Sequence, residues 1–178
     1  MKIDIKPEEF SSDVAVLIPG LLSMHTTQRS SSREKLEKMG TSVLPDVHKM
    51  IHSSNKQLQW EAAKVLENLG SPESLDELIS LLDDDESDIR WIATEGLINI
   101  GRKCIVPLLE KVIERGDSLN IQHGAHHVLK KLFTKEEKFL FSELLLALKN
   151  RNKTSITAPS RALKVINYFT DLQNSEDV

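Results

Sequence analysis

Apolar residues return along this chain in blocks of about thirty positions. Gly40, Gly70 and Gly101 stand 30 and 31 residues apart, and Phe133 takes the equivalent place 32 further on. Twelve residues before these markers stand Gln28, Leu58, Ile89 and Ile121, and eight before stand Ser32, Ala62, Ala93 and Ala125. Four before come Leu36, Leu66, Leu97 and Leu129, then one before Met39, Leu69, Ile100 and Leu132. Steps of four, four and three follow one face of an α-helix, so each block opens with an amphipathic helix that ends at its marker. Glycine at that point suits a left-handed C-terminal cap. A small residue eight back leaves room for a neighbouring helix.

A second helix follows each marker. Its inward face is Leu44, Val47 and Ile51 in the first block, Leu75, Leu78 and Leu82 in the second, and Ile105, Leu108 and Val112 in the third. The second block is displaced by one residue, which Ser71-Pro72 absorbs as N-cap and first helical position. Thr134 and Glu137 form a capping-box pattern that opens the second helix of the fourth block. One apolar face per helix is not buried within a lone hairpin, so the hairpins must stack. The pattern predicts one all-α domain over 1–178: a solenoid of stacked antiparallel hairpins. Repeats are expected at about 28–52, 58–82, 89–115 and 119–149, behind a leading helix at 11–24 on Val14, Leu17 and Leu21. A closing helix of the first type is expected at 158–172 on Ala162, Ile166 and Phe169. A long loop at Asn150–Ser155 and irregular ends at 1–10 and 173–178 complete the reading.

Composition adds restrictions. Only 4% of residues are aromatic, so the core is aliphatic. A net charge of −4 argues against general nucleic-acid binding. The charge is uneven: residues 72–114 carry eleven acids against four bases (net −7), and residues 130–164 nine bases against three acids (net +6). That polarity orients a partner and allows end-to-end association of an otherwise monomeric chain. The single cysteine, Cys104, reads as a small buried hydrophobe. The start of the chain lacks the apolar run of a secretory signal, and no stretch is long and apolar enough to span a membrane, so a cytoplasmic protein without membrane contact is expected.

The run from Leu81 to Gly101, with Asp88, Ile89, Arg90, Ala93, Leu97 and Gly101, resembles the short bacterial form of the HEAT repeat, the type found in phycobilisome lyases. The resemblance covers roughly 11–172 and implies a right-handed α-solenoid of the HEAT/armadillo kind that serves as a protein-binding scaffold. It also implies that Arg90 ties neighbouring repeats by hydrogen bonds to the loop aspartates Asp85 or Asp88, with Arg29 in the same place in the first repeat. Gln59 and Gln122 replace the arginine in the second and fourth repeats, where softer junctions are expected.

Catalytic candidates are few. His123 and His126, three apart on one helix face, with His127 beside them, offer two metal ligands, but no cysteine or nearby acid completes a set. They define the alternative reading, a metal-dependent enzyme or accessory subunit of the HEAT-like lyase type. The His-Glu dipeptides of the iron-binding deoxyhypusine hydroxylases are absent. Asp83-Asp84-Asp85-Glu86 lacks the alternating ligands of a calcium loop and reads as a helix-capping acidic turn. Trp60 and Trp91, at equivalent positions, read as inter-repeat packing. No catalytic residue, cofactor or metal is assigned.

The favoured reading is a non-catalytic module that binds a protein or peptide. HEAT-like stacks line their concave surface with the second helices, which implies a continuous strip of Asp46, Lys49, Met50, Glu77, Ser80, Leu81, Glu110, Lys111 and Glu114, with Met50 and Leu81 exposed on it.

Overall fold

A computed structural model of the chain describes residues 7–149 and 157–176, and every regular element among them is helical. Two short helices lead, α1 (Ser12–Ala15) and α2 (Ile18–Leu21). Three hairpins follow: α3 (Thr26–Lys38) with α4 (Leu44–Ile51), α5 (Lys56–Leu69) with α6 (Leu75–Leu81), and α7 (Ser87–Ile100) with α8 (Ile105–Glu114). The chain then forms α9 (Leu119–Leu132), α10 (Lys135–Leu140), α11 (Ser142–Lys149) and α12 (Thr157–Glu176). The sequence-derived loop at 150–155 and the outermost ends, 1–6 and 177–178, lie outside the described residues.

The first helices α3, α5, α7 and α9 stack side by side as one layer, and α4, α6 and α8 each pack against the first helix of the next repeat. This is an all-α solenoid. The inward positions are buried as the spacing requires: Leu58, Ala62 and Leu66 in α5, Ile89, Ala93 and Leu97 in α7, Ile121, Ala125 and Leu129 in α9. The exception is Gln28, which is exposed and bonds to Ser23 beside it rather than entering the core. Asn55 and Ser118 cap α5 and α9 by accepting the backbone N–H groups of Leu58 and Ile121 at 3.1 and 3.2 Å.

The markers end their helices in different ways. Gly70 takes the left-handed cap (φ 53°, ψ 29°), whereas Gly101 adopts φ 80°, ψ −152°, a region essentially closed to side-chain-bearing residues. Phe133 ends α9 in extended backbone, ψ 139°. Each glycine leads into a 3-10 turn, at Gly40–Val43, Pro72–Ser74 and Gly101–Cys104, before the second helix begins.

The far end departs from the expected repeat in two respects. The fourth second helix is broken at Phe141, because that side chain turns inward into an aromatic cluster. Its ring lies 5.4 Å from Phe133 and 5.2 Å from Tyr168, and Phe169 joins at 6.3 Å. The closing helix α12, expected as a further member of the first-helix layer, packs instead on α8 and then α11. It runs antiparallel to α8: its start lies at Gly116, where an added Cβ would come within 2.8 Å of Pro159, and Phe169 lies beneath Arg102 at 5.3 Å. Buried Ala158 and Ala162 together with Gly116 permit this close approach. The helix continues to Glu176, beyond the end expected near 172.

Arg102 fastens this end. Its guanidinium donates to both carboxylate oxygens of Glu137 at 3.0 and 2.5 Å and to the Leu132 carbonyl at 3.2 Å, and it lies over the Phe169 ring. Glu137 closes the expected capping box with Thr134, at 2.8 and 3.2 Å. The hydrogen bond from Arg102 outweighs the opposing effect of burial and, with Thr134, holds the Glu137 carboxyl below its ordinary value of 4.5. A carboxyl with a depressed folded pKa contributes stability that is complete above the unfolded value and lost as pH falls through the folded one. Urea midpoints are therefore expected to fall as the solution is taken below about pH 4.5, and to fall less steeply in Arg102→Gln. Identical pH profiles for the two proteins would show that this pair does not contribute.

Candidate interaction groove

The nine residues of the expected concave strip are dispersed by the structure. Asp46 is buried and accepts from the Ser11 backbone N–H at 3.2 Å and the Ser11 hydroxyl at 2.6 Å. Burial opposes ionisation of its carboxyl, but these bonds and Lys49 hold it below the usual carboxylate range. Lys49 donates to Asp46 at 3.2 Å and to the Glu9 carbonyl at 2.8 Å, with Phe10 alongside. The leading segment thus engages the charged part of the strip in the first repeat. Met50 and Leu81, expected to be exposed, are 0% and 6% exposed. Both α4 and α6 bury a broader apolar face than a three-residue stripe, because each packs against the first helix of the next repeat. Glu77 points toward α4 and pairs with His52 at 2.9 Å.

Ser80, Glu110, Lys111 and Glu114 remain, and they come together. With Asp76, Ile79 and Pro107 they line an open groove of about 300 Å³ between α6 and α8. Neighbouring helices present opposite flanks to the space between them, so α6 contributes Asp76 and Ile79 rather than Glu77 and Leu81. A strip drawn at identical positions on every second helix misses that offset. Asp76, Ser80, Glu110 and Glu114 are exposed, and Ile79 is buried at the floor. Lys111 is drawn to Glu114 at 2.9 Å. Asp76 and Glu110 have no ion-pair partner among the described residues, so the groove presents uncompensated negative charge over an apolar floor.

The inter-repeat ties also differ from the expectation. Arg90 donates to the backbone carbonyls of Asp84 and Asp85 at 2.7 and 2.9 Å, not to the carboxylate of Asp85 or Asp88, and Asp88 is exposed in the first turn of α7. Carbonyls at the end of a helix-to-helix turn are unsatisfied acceptors, and an arginine about one turn into the next helix reaches them. Arg29 does the same to the Ser23 carbonyl at 2.8 Å. Gln122 reaches the Gly116 carbonyl at 2.6 Å, so the fourth repeat keeps the bond through a neutral amide, where a softer junction was expected. Gln59 reaches forward instead, to the Asp84 carboxylate at 3.2 Å. Asp83 joins successive turns by accepting from Arg115 at 2.9 Å and Ser118 at 2.6 Å.

Two features were not legible in the repeat. Glu61 is fully buried in α5 and binds Arg29 at 3.1 Å, Arg33, and Gln57 at 2.9 Å. Its place in the repeat belongs to Ile92 in α7, which hid its role. Gly96 lies where an added Cβ would stand 2.9 Å from Leu78 and 3.2 Å from the Glu67 backbone.

The histidines divide. His123 and His127, four apart, line a second groove of about 270 Å³ between α7 and α9 with Arg90, Trp91 and Asn120. His126 is absent from that lining, and burial, then Lys130 and Lys149, hold it below the usual imidazole range. His127 Nε2 lies 3.4 Å from Glu95 without an aligned hydrogen bond. Among the described residues no three His, Cys, Asp or Glu side chains converge as metal ligands. Cys104 is buried, and desolvation pushes its thiol up to about 12. Trp60 is half-buried against Arg33, but Trp91 is 56% exposed and meets the next repeat in a T-shaped contact with His127, ring centroids 5.1 Å apart.

Among the described residues no helix is long and apolar enough to cross a membrane. No curated protein matches the chain. The family model of HEAT repeats matches residues 14–98, from the leading helices to α7. The chain is thus an all-α solenoid whose residues 14–98 are similar to HEAT repeats, and whose later helices extend the same stack.

Proposed function

We propose that this chain is a non-catalytic interaction module that takes a segment of another protein into the groove between α6 and α8. HEAT repeats commonly serve interaction and scaffolding, and the reading rests on that likeness together with the groove. The observation that carries it is that Asp76 and Glu110, both without an ion-pair partner among the described residues, line one groove with Ile79 and Pro107. A soluble surface keeps charge solvated and apolar side chains apart; an acidic rim around an apolar floor favours a partner that supplies a cation and a hydrophobic side chain together.

Capture from an extract of the source cell tests the reading. The double charge reversal D76K/E110K is expected to reduce the captured partner about tenfold, with Tm only slightly lowered, because both residues are exposed and unpaired and the cost is the loss of one carboxylate from the first turn of α6. Retention of the same partners by the variant would overturn it.

A further inference from the structure

The chain carries the complement of its own groove. At the far end of the stack Phe139 is 86% exposed and Leu140 57% exposed. Leu140, Arg161 and Lys164 share a shallow cleft, and Lys135 and Lys138 belong to the same short helix as Phe139. Arg161 is paired with Glu143 at 3.2 Å, but Lys135, Lys138 and Lys164 have no ion-pair partner among the described residues. Asp76 and Glu110 are unpaired in the groove, and among the described residues no ion pair within one chain joins the two regions. The α10 face therefore offers apolar side chains among three unpaired cations and one unpaired carboxylate, Glu136, and the other face an apolar floor among free carboxylates.

We propose that the α10 end of one copy, led by Phe139 and Leu140, docks into the α6/α8 groove of a second copy. The proposal rests on the groove reading above and names its occupant. The contact is heterologous: each copy uses one face and leaves its other face free, so association proceeds head to tail rather than stopping at a symmetric pair. Charge draws the faces together, and burial of the Phe139 ring against Ile79 and Pro107 holds them. Because the rim charges lie in water, the association weakens with salt.

The test uses purified full-length chain and sedimentation equilibrium. The wild type is expected to exceed its monomer mass of 20.1 kDa as concentration rises in low salt, and to return to it in high salt. F139D and D76K/E110K should each remain monomeric. Mixed together, these two variants should form a one-to-one dimer and nothing larger, since F139D keeps an intact groove and D76K/E110K an intact α10 end. Phe139, Asp76 and Glu110 are exposed, so melting curves close to wild type are expected for both.

A wild type that stays at 20.1 kDa at every concentration overturns the proposal. So does a mixture that gives no heterodimer, or an equal loss of association in D85K/E86K, which reverses two exposed acids outside the groove. If purified wild type is monomeric while D76K/E110K still loses its partners from extract, self-association falls and the groove reading stands. A chain that sediments instead with vesicles of anionic lipid through Phe139, and never with itself, overturns the second-copy occupant.

Discussion

Glu61→Ala is expected to destabilise the chain by about 3 kcal/mol, read as a lower urea midpoint with an unchanged slope. The carboxylate has no exposed surface, whereas Arg29 and Arg33 retain 21% and 17% of theirs. Removing one member of a buried ion pair costs about 3–5 kcal/mol when its partner is left without a counter-charge; here Arg29 loses its ion-pair partner, whereas Arg33 keeps Glu37 at 3.7 Å. Residual hydration of the two arginines places this site at the lower end. The cluster joins α3 to α5, the junction between the first two repeats, so melting should begin there. Glu61→Ala with Arg29→Met should recover part of the loss, because the guanidinium left without a carboxylate is removed with its partner. A single-variant cost below about 1 kcal/mol would mean that the arginines simply turn to solvent.

Gly96→Val is expected to cost about 2 kcal/mol, and Gly96→Ala to lie near zero. A Cβ at this position meets the Leu78 methyls at 2.9 and 3.0 Å and the Glu67 Cα at 3.2 Å. Leu78 is the end of a flexible side chain and yields to one methyl, and the gain in helix propensity from glycine to alanine, about 1 kcal/mol, offsets that adjustment. Valine adds two branches that retreat neither into Leu78 nor into the α5 backbone. Thermal denaturation of the three proteins decides the matter: equal Tm values would show that α5 and α7 part without penalty.

The two sites differ in how visible they were. Leu97 and Ala93 announce themselves through the four-residue step, since helical periodicity is a property of neighbouring positions in one chain. Gly96, next to Leu97, is required by the backbone of another helix, and nothing local marks it. Glu61 breaks the repeat rather than following it, so only the arrival of Arg29 and Arg33 from the preceding helix explains a carboxylate at a fully buried position. The same holds for the groove. Ser80, Glu110, Lys111 and Glu114 could be read from the outward positions of the second helices, but Asp76 and Ile79 required the offset between adjacent helices. Asp46 and Lys49 left the strip because a segment 35 to 40 residues away in sequence engages them.

The order of helices, their inward residues, the glycine markers and the capping box at Thr134 followed from local rules: a 3.6-residue period, backbone conformations open to glycine, and a hydroxyl three residues before a glutamate. What the local rules leave open is which of several apolar faces meets which. The helix at Thr157–Glu176 carries a spacing equally suited to either layer, and it lies against α8 because Gly116, Ala158 and Ala162 let the two backbones approach closely there. Burial is non-directional, so spacing names the residues that leave water but not the partner they leave it for. That choice belongs to the packed stack, and with it the placing of the groove, the breaking of the helix at Phe141 and the exposure of Phe139.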